Sequence, residues 1–151
     1  IKEGVLNITD DSMTRFMISL EEGVRLVWQA FEDMEGGEIY VKKIPSMKVT
    51  DIATAIAPES KRRFIGIRPG EKLHEQMIGP EDARYTYEYK EYFKVLPAIH
   101  NWSSDPKRIA GGKLVDPDFI YASNSNTEWM SIEYLRSWIA ENKDKFIKTG
   151  R

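Results

Sequence analysis

The sequence contains no cysteine and only two histidines among its 151 residues. The absence of cysteine excludes disulfide bonds, thiolate nucleophiles and cysteine-ligated zinc. His74 and His100 form no His-x-x-x-His pair, so we expect no metal site and regard each as a surface or loop residue. No serine or carboxylate lies in a motif that marks a nucleophile or an acid–base pair. The sequence therefore predicts no catalytic residue within this chain.

The chain also lacks an excess of basic residues and any long apolar run. Its 22 lysines and arginines are balanced by 24 aspartates and glutamates, whereas nucleic-acid binding usually needs a basic face. No run approaches the ~18 apolar residues of a membrane helix, and no signal peptide opens the sequence. We therefore expect a cytoplasmic protein that binds neither nucleic acid nor a membrane.

Two further absences concern nucleotide binding and the start of the chain. No Gly-x-Gly-x-x-Gly fingerprint is present, and residues 66–72 lack the glycine spacing of a P-loop. The chain opens on Ile1 and reaches a strand-like segment at residues 5–8 without a dispensable lead-in. We therefore expect it to be part of something longer, although its length suffices for one domain with a core.

The clearest helical pattern begins after Ser19. Ser19 and Glu22 have the spacing of a capping box, and Gly36-Gly37 offers a left-handed C-cap. Apolar residues follow at helical spacing, and we expect them to face the core and to carry no chemistry. They are Leu20, Val24, Val27, Trp28, Phe31 and Met34.

The remaining patterns of the first half predict two more strands and a short helix. Residues 38–42 alternate like a strand, and residues 64–67 form a β-branched apolar run that is expected to leave a core. Thr50-Asp51 is expected to cap a helix that is closed by Pro58 and in which Ile56 faces inward. Lys61-Arg62-Arg63 is interpreted as a solvated edge before the third strand. The order strand, helix, strand, helix, strand predicts an α/β fold.

The second half is richer in aromatic residues. Tyrosines alternate with charged residues over residues 85–93, which predicts a β-ribbon with one aromatic face. A nucleobase-stacking platform is the alternative, but the interleaved acidic residues would repel phosphates. Residues 98–128 are expected to form an irregular arm packed through Trp102, Phe119 and Tyr121. Ser131 is expected to cap a last helix with Ile132, Leu135 and Ile139 on one face.

Residues 64–78 contain a candidate anion-binding motif. The predicted strand delivers Arg68 to a turn at Pro69-Gly70, and a short helix is expected around residues 73–78. A guanidinium fixed at a strand end beside Glu71 suits a phosphate or carboxylate ligand. The alternative is an Arg68–Glu71 ion pair that only fixes the loop.

Arg15 is a second candidate ligand for an anion. It stands among apolar residues just before the capped helix, where an arginine needs either a buried carboxylate or a ligand phosphate as a partner. Two arginines at separate strand–helix junctions could hold a pyrophosphate from both sides. Pairing of each arginine with a protein carboxylate remains the alternative.

Four blocks of sequence, taken together, resemble one enzyme family. They are Asn-Ile-Thr-Asp with Met-Thr-Arg-Phe at residues 7–16, and residues 19–24, 36–48 and 65–75. They resemble the C-terminal part of the UDP-N-acetylglucosamine 4,6-dehydratases, in particular the inverting enzymes of pseudaminic acid biosynthesis. These are extended short-chain dehydrogenase/reductases. The resemblance runs from about residue 5 to residue 97 and continues weakly through residues 121–129.

The resemblance implies a two-part enzyme. An N-terminal Rossmann domain would bind NADP and carry a Tyr-x-x-x-Lys catalytic pair, and a smaller C-terminal region would bind the UDP-sugar. The family oxidises C4 of UDP-N-acetylglucosamine, eliminates water across C5–C6 and returns the hydride at C6. Its inverting members also invert C5. Family habit further implies a homo-oligomer.

The implied architecture is an α/β fold that represents the substrate-binding part without its Rossmann part. It would have a small sheet, three main helices and an irregular C-terminal arm. Residues 1–97 would form the UDP-sugar-binding region, and residues 98–151 would form the arm and final helix of the same domain. The isolated chain is expected to be inactive.

The resemblance also assigns roles to five residues. Arg68 matches the position that contacts the UDP pyrophosphate, and Arg15 is a second phosphate or ribose contact. Leu6 and Ile65 match positions that line the nucleotide pocket. Glu71 could accept a hydrogen bond from a ribose hydroxyl or orient Arg68. Two alternatives stay open: a related epimerase or retaining dehydratase, and a non-catalytic module for nucleotide-sugar binding or assembly.

Overall fold

The computed structural model describes residues 4–99 and 105–143. Two residues named above, His100 and Trp102, lie outside this described part. The chain divides into two compact units that are each assembled from separated segments. The first contains residues 1–17, 45–75 and 126–151, and the second contains residues 18–44 and 76–125. The predicted division of roles at residue 97 stays a prediction.

The described residues form ten strands and five helices in a mixed order. In chain order they are β1 Val5–Ile8, β2 Thr14–Phe16, α1 Leu20–Asp33, β3 Ile39–Lys42, β4 Ser46–Lys48, α2 Val49–Ile56, β5 Lys61–Phe64, β6 Gln76–Ile78, α3 Pro80–Ala83, β7 Thr86–Glu88, β8 Tyr92–Val95, α4 Pro106–Ile109, β9 Lys113–Leu114, β10 Tyr121–Ala122 and α5 Ile132–Glu141. The strands form three pairs and one four-stranded sheet. The predicted small sheet and three main helices, α1, α2 and α5, are therefore present, together with two helices of a single turn.

The first unit contains two strand pairs and two packed helices. Strands β1 and β5 are parallel, and β2 and β4 are antiparallel. Met47, Ala55 and Leu135 form its buried cluster, so β4, α2 and α5 share one core. Ser131 accepts a hydrogen bond from the Tyr134 backbone N–H and begins α5, as predicted. The predicted apolar face of α5 also packs on this cluster.

Helix α2 begins earlier than predicted. Its N-cap is Lys48, which makes no side-chain capping bond, and Thr50 lies inside the first turn. Its C-terminal residue Ile56 is 59% exposed rather than inward-facing. The chain enters α2 directly from β4, so the start of the helix is determined by strand pairing and not by a polar cap.

Strand β5 occupies the basic cluster itself. It extends from Lys61 to Phe64 because these residues pair with β1, whereas a strand over residues 64–67 was predicted. The apolar run is not emerging from a core either: Phe64, Ile65 and Ile67 are 56%, 44% and 49% exposed. The predicted solvated edge at residues 61–63 is therefore a strand whose residues are all exposed.

The second unit is organised around an antiparallel sheet in the order β3-β8-β7-β9. The predicted aromatic ribbon is present as the β7–β8 hairpin. Its aromatic residues lie on both faces, however: Tyr92 contacts Tyr40 and Tyr89 on one side, and Phe93 packs on Phe119 and Tyr121 on the other. The prediction of a single aromatic face was therefore wrong, but the predicted packing through Phe119 and Tyr121 is confirmed.

The tyrosine side of this sheet encloses a buried lysine. Lys94 is 1% exposed and its ammonium lies 2.5 Å from the Asp33 carboxylate at the end of α1. Its ammonium also donates to the Arg108 carbonyl and lies over the Tyr40 and Tyr89 rings. Burial of Tyr89 raises its pKa to about 12. These tyrosines pack around an ion pair rather than offering rings to a nucleobase.

Helix α1 has the predicted ends but not the predicted burial. Ser19 and Glu22 form the capping box, and hydrogen bonds from the Ser19 backbone and hydroxyl lower the pKa of Glu22. The helix ends at Asp33, and Gly36-Gly37 instead turn the chain toward β3 with positive φ angles. No residue of the helix is buried. The prediction that its apolar face belongs to a core was wrong for the described structure.

Candidate functional site

The candidate site lies where β1 and β5 end in the first unit. The two strands are parallel with Leu6 opposite Arg62, and the Ile65 backbone N–H donates to the Ile8 carbonyl one step beyond the pair. Carboxyl ends of parallel strands meet at the same edge, and ligands of α/β proteins commonly bind beyond that edge. The pairing therefore brings residues 9–10 beside the segment that leads to Arg68.

Arg68 is presented by a tight turn, as predicted. The Glu71 backbone N–H donates to the Arg68 carbonyl at 3.0 Å, and Gly70 has a φ of 81°. A type II turn requires a positive φ at its third position and commonly has proline at its second. The Arg68 side chain is 71% exposed. The turn thus holds the backbone of Arg68 while leaving its guanidinium accessible to a ligand.

Glu71 connects this turn to the end of β1. One of its carboxylate oxygens accepts from the Arg68 backbone N–H at 3.2 Å and lies 3.8 Å from the Arg68 guanidinium. The other oxygen accepts from the Thr9 hydroxyl at 3.2 Å. Thr9 itself is only 8% exposed. Glu71 therefore links the Arg68 turn to Thr9, which is buried in the first unit.

Arg15 is fixed by contacts with the same segment. Its guanidinium donates to the backbone carbonyls of Thr14, Lys72 and Leu73 and lies 3.6 Å from the Glu75 carboxylate. The Lys72 and Leu73 carbonyls follow directly after the Arg68 turn. The structure thus brings Arg15, Arg68 and Glu71 together around residues 68–73. Each arginine also lies beside the protein carboxylate that the alternative named, so the ligand contacts stay predictions.

The segment after the turn is held by main-chain and side-chain contacts. The Thr14 backbone N–H donates to the Leu73 carbonyl, and the Thr14 hydroxyl lies 2.8 Å from Nδ1 of His74. The short helix expected around residues 73–78 is absent, because residues 76–78 form β6 instead. β6 pairs with β10, and this pairing outweighs the weak local helical pattern.

Asp10 adds a carboxylate near the end of β1. Hydrogen bonds from the Ser12 hydroxyl and backbone N–H lower the pKa of Asp10 below its ordinary value. Asp10 is therefore an anion at neutral pH, and with Glu71 it gives the site acceptors as well as cations. Such a mixture suits a ligand that has both phosphates and hydroxyl groups.

Leu6 and Ile65 belong to the same corner of the first unit. Leu6 is half-buried within β1, and Ile65 is 44% exposed just beyond β5. An exposed branched side chain beside a presented arginine can cover the apolar face of a base or sugar. All five residues predicted for the site therefore lie in one unit, and their ligand contacts stay predictions.

Sequence reasoning missed Thr9, Thr14 and His74 as parts of this site. The Thr9–Glu71 and Thr14–His74 contacts join residues 62 and 60 positions apart. No local pattern marks such pairs. The one available signal was the position of Thr9 directly after a strand, where a polar side chain reaches the carboxyl edge.

The described residues contain neither a metal-binding cluster nor a membrane-spanning helix. Across residues 4–99 and 105–143, no cluster of three or more His, Cys, Asp or Glu side chains could hold a metal ion. Every helix in that part of the chain is too short or too polar to cross a membrane.

Comparison with known proteins places this chain in a family and identifies its fold. Residues 1–97 match a family described as polysaccharide biosynthesis protein, and the chain belongs to this family. The α/β fold is shared with the structure of Pen from Bacillus thuringiensis, with a TM-score of 0.75 at 24% identity. That likeness covers 94% of this chain and 41% of the other. The predicted fold class is thereby confirmed.

Individual relatives show which enzymes the chain is similar to. The chain is 48% identical over 143 residues to the inverting UDP-N-acetylglucosamine 4,6-dehydratase of Campylobacter jejuni serotype O:2, which covers 89% of this chain. It is 39% identical to a UDP-glucose 4-epimerase of Rickettsia canadensis, over 90% of this chain. The resemblance inferred from the sequence is confirmed. The chain spans 42% and 41% of the lengths of these two relatives.

Proposed function

We propose that this chain is the UDP-sugar-binding part of a sugar-nucleotide 4,6-dehydratase. The observation that carries the proposal is the exposed Arg68 guanidinium, held on its turn by Glu71 in a chain that is 48% identical to such an enzyme. Arg68 binds the diphosphate of the substrate, because a guanidinium matches the geometry of phosphate oxygens. UDP-N-acetylglucosamine is the proposed substrate.

The other site residues complete the binding of the nucleotide. Arg15 supplies positive charge beside residues 72–73, where its guanidinium is already oriented by backbone carbonyls. Leu6 and Ile65 cover the apolar parts of the ligand, and Glu71 accepts from a ribose hydroxyl or keeps Arg68 oriented. The role of these residues is to bind and position the substrate, and none of them moves a proton in the reaction.

NADP does not fit the described residues of this chain. The longest helix, α1, has Glu21 and Glu22 in its first turn, and their charges oppose a phosphate at that N-terminus. Helices α2 and α5 also carry an acidic residue in the first turn. We therefore assign the cofactor and the redox chemistry to a part of the enzyme that this chain does not span.

A turnover experiment tests this division of roles. Mass spectrometry of UDP-N-acetylglucosamine incubated with a full-length protein containing this chain should show the loss of one water, and NMR should show inversion at C5. The chain alone should neither bind NADP nor change the substrate. A product of unchanged mass, epimerised at C4, would instead support the epimerase that the Rickettsia relative suggests. Turnover by the chain alone would overturn the assignment.

A further inference from the structure

The imidazole of His74 is a group in the first unit to which the proposed function gives no role. Its Nδ1 atom lies 2.8 Å from the hydroxyl of Thr14, a residue that is only 2% exposed. The preceding Leu73 carbonyl accepts from the Thr14 backbone N–H and from the Arg15 guanidinium. His74 is therefore fixed to β2, directly beside one arginine of the candidate site.

The hydrogen-bond partner of His74 is compatible with both charge states of the imidazole. A hydroxyl can donate to the unprotonated Nδ1 of a neutral ring and can accept from the N–H of a protonated ring. A carbonyl or a backbone N–H in its place would suit only one of these arrangements. The residue is half-buried, so its ring can exchange a proton with solvent. The contact with Thr14 thus holds the ring in place whether or not it is charged.

Asp10 is close enough to His74 to interact with its charge. Hydrogen bonds from the Ser12 hydroxyl and backbone N–H lower the pKa of Asp10 most, and the charge of His74 lowers it further. Asp10 follows β1 at the edge where the candidate site lies, whereas Thr14 belongs to β2. The imidazole therefore interacts with two separate segments of the site.

The other charges on the segments around His74 cancel one another. Its own segment has two cations and two carboxylates, β2 and the loop before it have one cation and two carboxylates, and β4 has the lysine that pairs with Thr14. In that order they are Arg68, Lys72, Glu71 and Glu75, then Arg15, Asp10 and Asp11, and finally Lys48. Since each sign is represented four times, the charge on His74 decides whether this surface is neutral or positive.

We propose that His74 is a further residue that binds the sugar nucleotide, and that it acts through the charge of its protonated imidazole. The group it attracts is the diphosphate that Arg68 and Arg15 are proposed to hold, so the inference rests on the proposed function. Histidine is the side chain whose ordinary pKa, about 6.5, lets its charge change near neutral pH. Binding is therefore tightest in mild acid and weakens as the pH rises and the imidazole loses its proton.

Calorimetric titration in mild acid and mild base tests this role. UDP-N-acetylglucosamine is the probe, because its diphosphate keeps the same charge at both pH values, whereas the terminal phosphate of UDP does not. This chain should bind it at least ~3-fold more tightly at about pH 5.5 than at about pH 8, since a protonated imidazole attracts the diphosphate. In roughly 1 M NaCl the difference should fall below ~2-fold, because charges are then screened beyond about 3 Å. A difference that salt leaves unchanged would contradict a role for the charge.

His74→Gln is the matched variant. Glutamine keeps a hydrogen-bonding side chain beside Thr14 but carries no charge at either pH. The variant also keeps His100 and the N-terminal amine, so any pH dependence that comes from those groups remains in it. Its affinity should differ by less than ~2-fold between the two pH values and should match that of the original chain at about pH 8. Equal pH dependence in the original chain and the variant would overturn the role of His74 alone.

NMR of the original chain decides the matter if the variant fails to fold. A ligand and a proton that favour each other's binding do so by the same factor. Saturation with UDP-N-acetylglucosamine should therefore raise the midpoint of the His74 chemical-shift titration by at least ~0.5 pH unit, which corresponds to the ~3-fold change in affinity. Binding with an unchanged or lowered midpoint would overturn this proposal alone. No binding at either pH would overturn it together with the proposed function.

Discussion

At the scale of single residues, the candidate site depends on how firmly one carboxylate is held. Glu71 accepts from the Arg68 backbone with one oxygen and from the Thr9 hydroxyl with the other. Since the Arg68 side chain is itself largely exposed, the order of its turn comes from these contacts and from the Pro69-Gly70 backbone. Thr9 therefore acts on the ligand through Glu71 and is a positioning residue.

Replacing Thr9 by valine tests this link. Thr9→Val keeps the shape of the side chain but removes its hydrogen bond to Glu71, which should lower the free energy of unfolding by about 0.5–1.5 kcal/mol. Urea denaturation followed by circular dichroism measures the change. Thr127→Val, at an exposed threonine, is the matched control and should change stability by less than about 0.5 kcal/mol. Equal free energies of unfolding for the two variants would show that the Thr9–Glu71 hydrogen bond does not stabilise the fold.

The sequence predicted the turn of the candidate site but not the contacts around it. The Pro-Gly turn at Arg68 follows from local chemistry, because proline and glycine fix the backbone angles regardless of what surrounds them. The partners of Arg15 did not follow, since three of its contacts are backbone carbonyls that carry no sequence signal. Contacts between residues about 60 positions apart can be identified only once the fold is known.

At the scale of elements, the start of a helix was predicted correctly where a serine side chain caps it. Ser19 and Ser131 both begin helices as expected, because a capping hydrogen bond is local. The burial predicted for α1 was wrong, because an apolar face is covered only if another element packs on it. Strands of three residues, such as β2 and β4, are too short to show a period and exist through their pairing with each other.

The attachment of α1 to the sheet gives a prediction at this scale. Lys94→Met should lower the free energy of unfolding by about 3 kcal/mol, because it leaves the Asp33 carboxylate without its ammonium partner. Lys107→Met is the matched control: Lys107 is 74% exposed in its ion pair with Glu35, so its loss should cost less than about 1 kcal/mol. Chemical denaturation of both variants measures the difference. Equal losses would contradict a structural role for the buried pair.

The same ion pair gives a pH dependence. Burial raises the pKa of Asp33, but hydrogen bonds from Lys94 and Tyr40 more than offset it, so the pKa in the folded protein is lowered. A carboxyl with a lowered pKa stabilises the fold above its unfolded value of about 4, and this stability is lost as pH falls through the folded pKa. Acid should therefore destabilise the original protein more than the Lys94→Met variant.

At the scale of the whole molecule, the division into two units was not predictable from the sequence. Each unit combines segments from distant parts of the chain, whereas the alternating pattern of strands and helices describes only neighbours. The α/β class did follow from that pattern, and the family followed from four short blocks. The predicted site residues all lie in the first unit.

Calorimetric titration of this chain with UDP tests the central claim most directly. UDP should bind saturably and at least ~10-fold more tightly than inorganic phosphate, and Arg68→Ala should weaken UDP binding by ~10- to 100-fold, since a lost charged hydrogen bond costs about 1.5–3 kcal/mol. Arg136→Ala removes the same charge from α5 and should leave the affinity within ~2-fold. UDP binding of equal strength with and without Arg68, or no binding by the original chain, would contradict the proposed site.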